Sequence, residues 1–81
     1  MDVHLEKDGS FTAVEISVTS TAERELRNIK KCLHARYGRV VVLFLEGDTL
    51  HAVEKLIADE IPDKIAGRIT LARISDFRRL L

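Results

Sequence analysis

Val3 and Leu5 alternate with polar residues between Asp2 and Lys7. After "DGS" the alternation resumes in "FTAVEISVT", with Val14, Ile16 and Val18 on one side of the chain and Glu15 and Ser17 on the other. A period of two on both arms of a turn sequence predicts an antiparallel hairpin, with the apolar side packed on the core. The period then lengthens. In "STAERELRNIKKCLHARYG", Ala22, Leu26, Ile29 and Leu33 recur at helical spacing, Ser20 and Glu23 have the spacing of a capping box, and Gly38 is placed to end the helix. "RVVVLFLEG" is apolar from Val40 to Leu45, as in a strand buried on both faces. Asp48 is positioned to cap a second helix carrying Leu50, Val53, Leu56, Ile57 and Ile61, which Pro62 stops. "RITLARI" predicts a last strand, and Ser75 a cap for a short terminal helix, "DFRRLL".

The expected class is therefore α/β, with a mixed four-stranded sheet in the order β-β-α-β-α-β plus a short C-terminal helix. If both parallel strands are added in the same direction, right-handed crossovers put both helices on one face of the sheet. The other face is then bare, although the strand from Val40 to Leu45 is apolar on both sides. The terminal helix, further chain or a second copy must cover it, so a homodimer or a fragment of a larger protein is expected.

Composition narrows the class further. A chain of 81 residues is one domain, and at this size folding removes only about 60% of the unfolded surface from water. With 46% apolar and 32% charged residues it is expected to fold. Thirteen basic and thirteen acidic residues cancel, so any nucleic-acid binding must come from a local patch. The lone Cys32 excludes an internal disulfide, and "VVVLFL" is too short to span a bilayer, so a cytoplasmic setting is the default.

Glu15 admits two readings. One is an exposed acid on the solvated face of a hairpin strand. The other starts from its partners: with a turn at Asp8 to Ser10, positions summing to about 17 to 19 face one another, which sets Asp2 opposite roughly residues 15 to 17. Two carboxylates on adjacent strands repel, and a hard cation such as Mg2+ compensates them. Metal-assisted phosphodiester hydrolysis uses such an ion to polarise the phosphate and activate water.

"DVHLEKDGSFTAVEIS", an Asp opening one strand and a Glu near the middle of the next, followed by a helix and a buried strand, resembles the core of the PD-(D/E)XK, or restriction-endonuclease-like, superfamily. The resemblance covers residues 2–46 by motif and the rest by element order. It implies metal binding by Asp2 and Glu15, and a catalytic set of Asp2, Glu15, Ser17 and a lysine. Ser17 departs from the pattern, since E-x-S stands where the family has E-x-K, and a hydroxyl supplies no positive charge beside the scissile phosphate. Some members place the basic group on the following helix, where "NIKKCL" offers Lys30 and Lys31. With Leu26 and Leu33 as the buried stripe, Lys30 lies on its shoulder beside Glu23 and Arg27, and Lys31 lies away from it near Asn28. Lys31 is taken as the candidate, with Lys30 open.

A second departure is that the superfamily core begins with a helix and a strand before the Asp-bearing strand, and both are lacking ahead of Asp2. The resemblance thus implies a degenerate domain, its ancestral metal-dependent DNA cleavage retained or lost, with residual binding of Mg2+ or DNA. The alternative is a non-catalytic interaction or dimerisation module. His4, His34 and His51 have no spacing typical of zinc ligands, Cys32 has no nucleophile motif, and Arg78 and Arg79 belong to an amphipathic terminal helix.

Overall fold

A computed structural model describes residues 2–7, 10–35 and 37–76, with side chains from Phe11 onward. The strands are β1 (Asp2–Lys7), β2 (Ser10–Ser17), β3 (Arg39–Phe44) and β4 (Ile69–Arg73), and the helices are α1 (Ala22–His34), α2 (Gly47–Glu60) and α3 (Asp63–Ala66). The fold is mixed α/β. β2, β3 and β4 run parallel and β1 pairs antiparallel with β2, in the spatial order β1-β2-β3-β4.

Both helical crossovers step the same way along the sheet, and α1 and α2 share one of its faces. Leu26 and Ile29 of α1, Val53 and Ile57 of α2, and Ile61 form one cluster with Val40, Val42 and Phe44 of β3. Those three β3 residues are fully buried. Val41 and Leu43, which alternate with them, lie on the other face; Leu43 is buried and Val41 half-buried.

The face assignment of β2 is a correction to the sequence reading. Ala13, Glu15 and Ser17 are buried, whereas Ile16 is 38% and Val18 55% exposed. Register gives the reason: Ala13, Glu15 and Ser17 pair with Val40, Val42 and Phe44, the helix-facing residues of β3, while Val14 and Ile16 pair with Val41 and Leu43. Alternation defines two faces of a strand, but the crossover decides which of them the helix covers.

Local signals are displaced by a residue or two. Thr21, not Ser20, caps α1: its backbone is extended and its hydroxyl accepts from Arg24 N at 3.2 Å. The helix ends at Ala35 before reaching Gly38, whose N–H instead donates to the Phe11 carbonyl at 2.9 Å. Arg68 Nε donates to the Gly38 carbonyl at 3.0 Å and its guanidinium also reaches the Tyr37 carbonyl, which fixes the entry to β3. Glu46 takes the cap position of α2 without a side-chain bond, and Asp48 lies inside the first turn, where a negative charge still suits the helix dipole. Pro62 stops α2 and at once caps α3, a turn the hydrophobic pattern did not reveal. Residues 74–76 are helical, so Ser75 lies inside that run rather than before it. Arg78 and Arg79 fall outside the described residues.

Candidate functional site

The antiparallel register makes Asp2 and Glu15 direct partners across β1 and β2, at the near end of the range expected from the sequence. Glu15 is only 7% exposed and faces the helix layer. It is therefore not the solvated acid of the simpler sequence reading. Asn28 Nδ2 on α1 donates to Glu15 Oε1 at 2.8 Å, a contact bridging helix and strand. Hydrogen bonds to an ionised partner contribute about 1.5–3 kcal/mol, and leaving a buried carboxylate without them costs more. Ser17, two residues further along β2, is 3% exposed on the same side.

Contacts on both flanks of α1 fix its orientation. Lys30 Nζ meets Glu60 Oε1 of α2 at 3.0 Å, and Glu23, Arg27 and Lys30 line one groove with Leu56 and Glu60. That flank belongs to α2. Asn28 marks the opposite flank, which faces β2. Arg24 precedes Asn28 by four residues and Lys31 follows it by three, so both neighbour Asn28 on the outer surface of the helix, between it and Arg27. Both are exposed, and neither is in an ion pair among the described residues. Lys30 is thus engaged with α2, while Lys31 projects to solvent between the two flanks, about 60° from Asn28 and about 40° from Arg27.

One residue of this region escaped the sequence reading. Glu25 is 1% exposed, and its Oε1 has no hydrogen-bond partner among the described residues. The signal was present in the spacing Glu25-x-x-Asn28-x-x-Lys31, a polar run at helical period along the edge of the apolar stripe.

The remaining candidates lie apart from this face. His51 Nδ1 is 3.0 Å from Glu54 Oε1 on the exposed side of α2, His34 is exposed near the end of α1, and Cys32 is a half-buried cysteine packed against the core. No group of three His, Cys, Asp or Glu that could hold a metal ion occurs among the described residues, which exclude the side chains of Asp2 and His4. No described helix is long and apolar enough to cross a membrane. Comparison with protein-family models, with curated proteins and with solved structures finds no match for this chain.

Proposed function

We propose that this chain is a nuclease-like α/β domain whose Asp2 and Glu15 hold a divalent cation beside bound DNA, and that its ancestral cleavage activity is weakened at Ser17. The observation that carries the reading is the Asn28–Glu15 hydrogen bond: a buried strand acid is oriented by a helix amide while its register partner is a second acid. Metal-ligating carboxylates are ordinarily held in this way by neighbouring donors. The restriction-endonuclease-like core belongs to the same proposal, since the Asp-bearing strand, the acid-bearing strand, the following helix and the next parallel strand occur in the order that the resemblance requires.

The residues fit such an ion. Carboxylate oxygens are the donors Mg2+ prefers, and a carboxylate oxygen on Glu25 that has no partner among the described residues marks the helix beside them as acidic and desolvated. A bound Mg2+ supplies Lewis-acid polarisation of a phosphoryl oxygen and an activated water. Asn28 keeps the Glu15 carboxylate in one orientation. Lys31, exposed on the outer side of α1, neutralises a backbone phosphate, and Arg24 can do the same about two turns earlier. Ser17 offers a hydroxyl where charge stabilisation of the reacting phosphate requires a cation, so binding outlasts cleavage.

The test is cleavage of plasmid DNA by the natural chain, Ser17→Lys, and Ser17→Lys combined with Glu15→Gln, each checked for folding by circular dichroism. Metal-dependent cleavage that rises at least about tenfold in Ser17→Lys and vanishes in the double variant is expected. Absence of cleavage in both Glu15-containing forms, together with absence of Mg2+ binding, contradicts the reading.

A second reading, a dimerisation module, draws on the outward sheet face. Ile16, Val18 and Leu45 are exposed there, and Val14 and Val41 are half-buried beside them. Its occupant would be a second copy. Glu15 and Ser17 turn to the helix side, leaving only Arg39 as a charged residue on the outward positions of β2 and β3, so like charge between two such faces is confined to that position at the strand end. Sedimentation equilibrium tests it: a dimer that Ile16→Lys converts to monomer supports this reading, and a monomeric natural chain at high concentration removes it.

A further inference from the structure

Glu25 presents a problem that the Asn28–Glu15 contact does not solve. A carboxylate that is 1% exposed, with Oε1 unpartnered among the described residues, is an expensive group to place in the layer between helix and sheet. Its location on the helix is informative. At about 100° per residue, Glu25 projects between Asn28 and Ile29, roughly 60° from the first and 40° from the second. Asn28 touches Glu15 and Ile29 belongs to the core under β3, so Glu25 faces the strip of sheet between them.

Axial position agrees with lateral position. α1 returns antiparallel to β2, because it leaves the end of β2 and delivers the chain to the start of a parallel β3. Glu25 lies three residues, about 4.5 Å, nearer the helix N-terminus than Asn28. It is therefore nearer the Ser17 end of β2, which lies roughly 6.6 Å beyond Glu15. Helix side chains lean toward the N-terminus, which carries the Glu25 carboxylate further in that direction.

We propose that Glu25 is a third acidic member of the cation site, sharing with Glu15 the buried space between α1 and β2, and that the site takes a hydrated divalent cation. The inference rests on the reading of Glu15 as a cation-binding residue and extends it to a residue outside the family motif. Two desolvated carboxylates on facing elements repel unless a cation or a shared proton intervenes. The first turn of α1 offsets part of this through its dipole, but a dipole provides no donor to the bare oxygen. A cation keeping several of its waters does both, through its charge and through hydrogen bonds that its bound waters donate from their O–H groups.

The experiment is a Mn2+ titration followed by water-proton relaxation on the natural chain, Glu25→Gln and Glu15→Gln, together with thermal melts in EDTA and in excess Mn2+. A loss of Mn2+ affinity of about 10–100-fold in Glu25→Gln, with a higher melting temperature than the natural chain in EDTA and a smaller gain from Mn2+, is the expected result. Equal Mn2+ affinity in Glu25→Gln and the natural chain, with Glu15→Gln impaired, overturns the Glu25 assignment and leaves the Glu15 site standing. No binding by the natural chain overturns both. If Glu25→Gln does not fold, the side-chain carboxyl 13C signals of the natural chain decide: Mg2+ must shift Glu25 together with Glu15, and a shift of Glu15 alone overturns the inference.

Discussion

Asn28 and Glu15 stand thirteen positions apart in sequence and 2.8 Å apart in space, joined by a side-chain hydrogen bond from α1 to β2. The bond ties the burial of an acid to the placement of a helix. Asn28→Ala removes the donor and leaves the carboxylate less satisfied, with an expected loss of about 1–3 kcal/mol in urea denaturation. In a Glu15→Gln background the same substitution should cost less. A double-mutant cycle should give a coupling of about 0.5–3 kcal/mol.

The start of α1 provides a second contrast. Thr21→Ala removes the hydroxyl that accepts from Arg24 N and should destabilise the chain by about 1 kcal/mol. Ser20→Ala, one residue earlier, should stay within about 0.5 kcal/mol. Equal losses at both positions in guanidinium titrations would reverse the cap assignment.

The two adjacent lysines should separate by function. Lys30 and Glu60 are both nearly half exposed, so Lys30→Ala should cost no more than about 1 kcal/mol and leave DNA affinity unchanged. Lys31→Ala should leave stability unchanged but weaken duplex DNA binding and reduce its logarithmic salt slope by about one. Fluorescence anisotropy across a salt series reads both.

Much of this fold is legible in the sequence because period and punctuation agree. The period-two arms flanking "DGS" gave the hairpin and brought Asp2 to Glu15, and the unbroken apolar run from Val40 gave the central strand. What failed was the identity of the covered face of β2. Val14, Ile16 and Val18 are the more apolar set, yet Ala13, Glu15 and Ser17 face the helices, because the parallel register with β3 fixes the side and two of these residues are small enough to lie beneath a helix. Helical phase alone sets Lys31 away from the buried stripe, near Asn28. Glu25 could not be recognised as buried, since a charged residue in a first helical turn ordinarily reads as a solvated, dipole-stabilising one.

The central claim is that Asp2 and Glu15 form a divalent cation site. The most direct measurement is backbone NMR of the natural chain and Glu15→Gln during Mn2+ titration. The account predicts saturable paramagnetic broadening centred on Asp2, Glu15 and Asn28 in the natural chain, and its loss in the variant. No broadening at millimolar Mn2+, or the same broadening in both proteins, would contradict it.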